Sequence, residues 1–176
     1  MWLRRKFWSL IKNRIKMINT FEKFSSRDSK KKRDSAGIAI IYNSKNSKPK
    51  ILLVHATNGS WAKPVMGIPK GKIEDDESPE DAAFRETYEE TGIRIKPDQV
   101  EQSTEIIQVY SGKTIINNIH YLICNINSLS EIGLTDLTVP KSQLQSGEID
   151  WAGFIDIELA YSKIAAAQRI ILDRIF

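Results

Sequence analysis

The chain has 176 residues, 41% of them hydrophobic and 27% charged, with one cysteine and a formal net charge of +4. That length suits one domain with a proper core plus a short appendage, and no apolar run approaches the roughly 18 to 20 residues of a membrane span. A lone cysteine, Cys124, forms no internal disulfide, which favours a reducing, cytoplasmic setting.

The charge is unevenly spread. Residues 1–33 hold 12 Lys/Arg against 2 Asp/Glu, a net of +10, and the rest of the chain holds 14 against 20, a net of −6. In MWLRRKFWSLIKNRIKMINTFEKF, apolar residues at steps of three and four predict an amphipathic helix with a cationic face. Such a helix can contact nucleic acid or an anionic membrane. It also suits a helix packed on its own domain, a targeting segment, or an extension upstream of a start at Met17. SSRDSKKKRDS follows as a solvated linker, so the organisation expected is a basic tail and linker over 1–33 and a globular domain over 34–176.

AGIAIIYN and KILLVHA read as two strands joined through the turn-forming NSKNSKP. TNGSWAKPVMGIPKG reads as a long loop whose glycines and prolines suit a binding segment. A helix is predicted to start at Ser78-Pro79, with Ser as N-cap, Pro in the first turn and Glu80 and Asp81 favouring its dipole, and to stop at Gly92. Two strands separated by a Ser-Gly turn follow in STEIIQVYSGKTIINNIHYLICNI, with Cys124 as a buried apolar residue. SLSEIGLTDLTVPKSQLQSGE is long enough for a lid or substrate-binding loop. IDWAGFIDI predicts a last strand, and ELAYSKIAAAQRIILDRIF a closing helix with an apolar stripe at Leu159, Ile164, Ala167, Ile171 and Ile175. This order of elements predicts an α/β (α+β) fold, a layered sandwich on a mixed sheet.

At about 100° per residue, Glu86, Glu89 and Glu90 share an arc of roughly 100° on the predicted helix, with Phe84, Thr87, Tyr88 and Thr91 expected to pack on the other side. Three carboxylates at i, i+3 and i+4 repel one another unless a cation offsets them. Oxygen ligands without a nearby His or Cys select Mg²⁺ or Mn²⁺ over Zn²⁺, and such ions commonly bridge carboxylates and phosphates. A solvated acidic helix face is the competing reading.

The spacing Gly71, five residues, Glu77, seven residues, then RETYEETGI resembles the Nudix box, with every charged and glycine position filled and Thr87 standing where an aliphatic residue is usual. SAGIAIIY, LLVH, SWAK and GIPKGKIE resemble a bacterial subgroup of predicted nucleotide pyrophosphohydrolases. The resemblance implies a Nudix-type α/β/α sandwich and hydrolysis of a nucleoside diphosphate linked to another group, such as a nucleoside triphosphate or dinucleoside polyphosphate, by water attack at phosphorus. It implies Glu86 and Glu90 as metal ligands, Glu89 as ligand or base, Glu77 as outer ligand or support, Arg85 as the group orienting a carboxylate, and the Gly71 carbonyl completing the coordination. Glu148 is the candidate for an additional acid acting as base, with Glu105 behind it. Lys70 is placed to meet a phosphate, and Trp61 to stack on a base. His55 and His120 read as lone packing or edge histidines. A non-catalytic nucleotide sensor, an RNA 5′-end pyrophosphohydrolase and a membrane-surface protein acting through its tail are the alternatives.

Overall fold

A computed structural model describes residues 33–45, 47–101 and 104–176. The expectations for the amphipathic helix and the linker, residues 1–32, lie outside the described residues.

Seven strands build one mixed sheet: β1 (Arg33–Tyr42), β2 (Lys50–Ala56), β3 (Met66–Gly67), β4 (Lys70–Lys72), β5 (Glu105–Ser111), β6 (Thr114–Ile126) and β7 (Ile149–Asp156). β1 runs parallel to β6 along its whole length, from Arg33↔Asn117 to Tyr42↔Ile126, and the other named pairings are antiparallel. The aliphatic runs alternate across the sheet with period two. Ile38 and Ile40 face one side with Leu52, Val54 and Leu122, whereas Ala39 faces the other with Ile51, Leu53, Ile119 and Tyr121. Helix α1 (Pro79–Thr91) covers the first face through Ala82 and Ala83; α2 (Ile157–Lys163) and α3 (Arg169–Ile175) cover the second through Ala160, Ile171 and Leu172. The result is the expected α/β/α sandwich, and its twice-covered strands read as continuous apolar runs for that reason. Cys124 is buried and free, as expected.

β1 and β2 pair with each other only at Ile41↔Ile51 and Tyr42↔Lys50. Beyond that they diverge, and the segment Met66–Lys72 fills the fork. β3 pairs with Val54 and His55 of β2, and β4 pairs with Ser35–Gly37 of β1. This segment is expected as loop from the sequence, since strands of two and three residues carry no period of their own.

α1 forms where predicted. The Ser78 hydroxyl accepts from the Asp81 N–H at 3.0 Å, and Gly92 ends the helix at φ 69° with its N–H donated to Tyr88 O at 2.7 Å. That φ favours glycine, since a Cβ would be strained there. The packing face is shifted from the expected one: Ala82, Ala83, Thr87 and Thr91 are buried, but Tyr88 is exposed and lies under the Arg94 guanidinium, 4.1 Å from its ring centre.

One other expectation changes. The closing helix is broken into α2 and α3, because Ile164 takes an extended backbone (ψ 145°), Ala165 N–H donates to Met66 O at 2.8 Å and Gln168 Oε1 accepts from Ile68 N–H at 2.8 Å. Bonds to the fork segment outcompete helix continuation. The 127–148 connection is a packed segment: it buries Ile132, Leu134, Val139 and Leu144, and Val139 N–H and Leu137 O bond the backbone of β7.

Candidate active site

Arg85 lies at the centre of the acidic face of α1. Its Nε and Nη2 donate to the two oxygens of Glu77, both at 2.8 Å, and Nη1 donates to Glu86 at 2.7 Å and Glu89 at 3.1 Å. A further bond, 3.0 Å, reaches Lys72 O, tying the helix to the end of β4. The planar fork makes this bidentate grip possible, which a lysine ammonium cannot reproduce. Hydrogen bonding from Arg85 is the main reason the Glu77 carboxyl is held down to about 2.

Glu90 has a different environment. Its Oε2 accepts from the Lys70 amide at 3.1 Å, a neutral donor on the fork segment. Burial pushes its carboxyl up to about 8; the Lys70 amide and charge oppose the rise, and the charges of Glu86 and Glu148 add to it. Glu86 is also raised, by burial first, against the pull of Arg85. Gly71 lies against this carboxylate: a Cβ there would fall 2.0 Å from the Glu86 carboxyl group, so only glycine allows the backbone this close.

The structure brings Lys70 and Glu148 to this face and leaves Glu105 out. Glu148, exposed in the turn just before β7, is within electrostatic reach of Glu90, and the nearby Gln145 N–H is 3.4 Å from Glu90 O. Glu105 is instead bonded to Arg174 of α3 at 2.7 Å. Tyr121 was not singled out by the sequence; it is fully buried with its hydroxyl unpartnered, and burial, then the Glu90 charge, raises its pKa. His55 is not the lone histidine expected. Its Nδ1 bonds Asp150 at 2.7 Å, the same carboxylate accepts the Trp61 indole N–H at 2.9 Å, and the rings of His55 and Trp61 stack. Asp150 lies 95 residues from His55, so only the β2–β7 pairing reveals it. His120 is half-buried on β6 opposite Ile106.

The NUDIX domain family model matches residues 31–173. The chain belongs to the Nudix family. It is 32% identical over 113 residues to putative hydrolase 111R of Invertebrate iridescent virus 3, a match covering 64% of this chain and 54% of that one; the chain thus spans about half the length of this curated relative. Its fold is similar to that of a C. elegans Ap4A hydrolase in a binary complex (TM-score 0.58, 20% identity, covering 81% of this chain and 94% of that one). It is also similar to a MutT Nudix hydrolase from Burkholderia pseudomallei (0.59, 18%, 83% and 99%). A bifunctional NMN adenylyltransferase/ADP ribose pyrophosphatase from Francisella tularensis, complexed with AMP and a manganese ion, shares the fold as well (0.59, 17%, 95% and 47%).

Nudix hydrolases generally use divalent metal ions. The donors here suit a hard cation: carboxylates of Glu86, Glu89 and Glu90 on one helix face, and the Gly71 backbone pressed against Glu86. The buried Glu90 carboxyl, raised to about 8 and bonded by a neutral amide, is a group whose ionised form a nearby cation would stabilise. Among the described residues, no three acidic, His or Cys side chains converge on a common centre. Arg85 holds Glu86 and Glu89, and the Lys70 amide holds Glu90. The Nudix residues therefore fit a metal by donor chemistry and backbone approach, with the carboxylates held by protein donors.

Proposed function

We propose that this chain is a Nudix pyrophosphohydrolase that cleaves a phosphoanhydride bond in a nucleoside diphosphate linked to another group, of the nucleoside triphosphate or dinucleoside polyphosphate type. The observation that carries this reading is the assembly of Arg85, Glu86, Glu89 and Glu90 on one face of α1, with Glu77 of the preceding loop gripped by Arg85 and the Gly71 backbone against Glu86. Similarity to proteins named as an Ap4A hydrolase and an ADP ribose pyrophosphatase supports a nucleotide-type substrate. The cofactor proposed is Mg²⁺, with Mn²⁺ as the other candidate.

Glu86, Glu90 and Glu89 would hold the metal, with the Gly71 carbonyl completing the set and Glu77 supporting it. When bound, the ion supplies charge neutralisation at the phosphate oxygens and a lowered pKa for bound water. Arg85 orients Glu77, Glu86 and Glu89 through four side-chain bonds. Lys70, its amide on Glu90, carries an ammonium suited to a substrate phosphate. Glu148 is the base proposed to accept the proton of the attacking water as the new O–P bond forms and the bridging P–O bond breaks. Its exposure and its place beside Glu90 support that role, and Glu89 is the second candidate.

Among the described residues no helix is long and apolar enough to cross a membrane. The unpaired, buried Cys124 supports a reducing cytoplasm as the site of action. Residues 1–33 are proposed as a separate basic segment before the Nudix domain of 34–176, contacting nucleic acid or anionic membrane through their net charge of +10. If RNA 5′ ends are the substrate, deleting residues 1–33 lowers turnover of 5′-triphosphate RNA and spares free nucleotides; equal loss on both counts against that.

The test is phosphate release from nucleoside triphosphates, dinucleoside polyphosphates, nucleotide sugars and 5′-triphosphate RNA, with Mg²⁺, Mn²⁺ or chelator, for wild type, Glu89→Gln and Glu90→Gln. Metal-dependent turnover lost in the variants is the expected outcome. Nucleotide binding without any turnover would replace the hydrolase by a nucleotide sensor on the same fold.

A further inference from the structure

The loop after β2 turns back on the strand it leaves: Gly59 N–H donates to Ala56 O and Thr57 N–H to Glu148 O, both at 2.8 Å. This return lays the Trp61 ring on the His55 ring, with centroids 4.0 Å apart and planes at 32°. His55 is fully buried on β2, and Asp150 joins the two rings from β7, one oxygen 2.7 Å from His55 Nδ1 and the other accepting Trp61 Nε1–H at 2.9 Å. An ionised carboxylate only accepts, so Nδ1 carries the histidine proton. One carboxylate thus bonds both stacked rings, at Nδ1 of His55 and Nε1 of Trp61.

Trp61 is nevertheless 53% exposed. A tryptophan serving as a hydrophobic plug would be covered, and an incidental surface tryptophan would have no need of a buried ring beneath it and a dedicated acceptor for its N–H. Here the indole is immobilised and its remaining surface is left open. An aromatic ring held rigidly before its partner arrives loses little freedom on binding, and stacking accepts any flat π-system. The position also fits: Asp150 is two residues from Glu148, whose backbone carbonyl anchors the same loop and whose charge acts on Glu90.

We propose that Trp61 is the stacking platform for the substrate's nucleobase, and that His55 and Asp150 are the positioning residues that hold it. This rests on the reading of the glutamate face as a phosphoanhydride site, and it assigns recognition of that substrate's base to Trp61. Phosphorylated compounds without a base, such as phosphorylated polyols, gain nothing from the platform.

The decisive comparison is calorimetric binding of AMP against ribose 5-phosphate, which differ by the base and contain no phosphoanhydride to cleave. The full chain is used as wild type, Trp61→Ala, Trp61→Phe and Asp150→Asn. Wild type is expected to bind AMP about 5- to 150-fold more tightly than ribose 5-phosphate, the range of a single aromatic–base stack. Trp61→Ala should bring AMP to the level of ribose 5-phosphate, Trp61→Phe should retain most of the preference, and Asp150→Asn should weaken AMP alone. On a dinucleoside polyphosphate substrate, Asp150→Asn should raise KM and spare kcat. Equal affinity of wild type for both ligands overturns the proposal without reference to any variant. So does an equal loss of both ligands in Trp61→Ala, and an unchanged AMP affinity in Asp150→Asn removes the positioning role. Preference for AMP with no hydrolysis of any substrate would retain the platform and remove the hydrolase, whereas hydrolysis without base preference would do the reverse.

Discussion

Replacing Glu90 by Gln isolates what a buried carboxylate does to the metal-free fold. Its carboxyl titrates at about 8 in the folded chain against an ordinary 4.5, chiefly through burial. Between those values the folded chain keeps the proton and the unfolded chain releases it. The contribution of Glu90 to stability is therefore fully present below 4.5 and is lost as pH rises to about 8, at up to about 1.4 kcal/mol per pH unit and at most about 5 kcal/mol in total. Gln carries no charge and its amide oxygen can still accept from the Lys70 N–H, so the variant escapes this loss. Urea unfolding in chelator at pH 5, 7 and 9 should show Glu90→Gln gaining on wild type with each step, by about 2 to 5 kcal/mol overall, and levelling above pH 8. Adding Mg²⁺ at pH 9 should then restore wild type, because a ligand bound only by the folded state stabilises it, and should do much less for the variant. A difference between the two proteins that does not change with pH would refute the buried-carboxyl argument.

Arg85→Lys should lose most metal-dependent turnover, since one ammonium cannot span Glu77, Glu86 and Glu89; an initial-rate assay retaining more than about half of wild-type kcat would contradict the clamp. The same variant should flatten the acid limb of unfolding: Glu77, held to about 2 by Arg85, contributes stability above its ordinary 4.5 that is lost as pH falls from there toward 2. Thr87→Val should stabilise the fold by about 1 kcal/mol, or about 2 to 4 °C in Tm, because the Thr87 hydroxyl is buried and unpartnered while the neighbouring Thr91 hydroxyl bonds Thr87 O at 2.5 Å. Gln168→Leu should destabilise by about 1 to 3 kcal/mol, by leaving the Ile68 N–H buried without an acceptor, and should slow turnover more than it changes nucleotide affinity.

What was legible in the sequence was what local chemistry decides. The caps at Ser78 and Gly92, the short apolar runs of β1 and β2 and the spacing of Glu86, Glu89 and Glu90 depend on residues a few positions apart, and all appear in the structure. Features decided by distant partners were not legible. Nothing near Ile164 signals a helix break; the cause is Met66, almost a hundred positions earlier in the chain, whose carbonyl takes the Ala165 N–H. The strands at Met66–Gly67 and Lys70–Lys72 exist because β1 and β2 diverge and leave their edges free there. His55 read as a lone histidine because its acceptor Asp150 arrives from the last strand, and the bonds that tie Leu137 and Val139 of the 127–148 connection to the backbone of that strand are equally out of sight in the sequence.

The fork between β1 and β2 is what makes these distant pieces one site. A sheet closed along its length would leave no place for Met66–Lys72 and hence no Lys70 amide facing Glu90. Opening the sheet exposes backbone donors and acceptors that need partners in a buried setting. Strand edges satisfy part of the requirement, and the segment Ile164–Gln168 satisfies more: Met66 O accepts from Ala165, and Ile68 N–H is taken by the Gln168 side chain. Had α2 continued through this stretch, Ala165 N–H would have been spent within the helix and Met66 O left without it. The broken helix on one face of the sheet therefore holds the fork segment from behind, while Glu90 and Arg85 of α1 hold it from the front through Lys70 N–H and Lys72 O. A loosened Gln168 should on this view reach the glutamates through the peptide units of Ile68 to Lys70, which is why its effect is expected in the rate and not in the hold on the base.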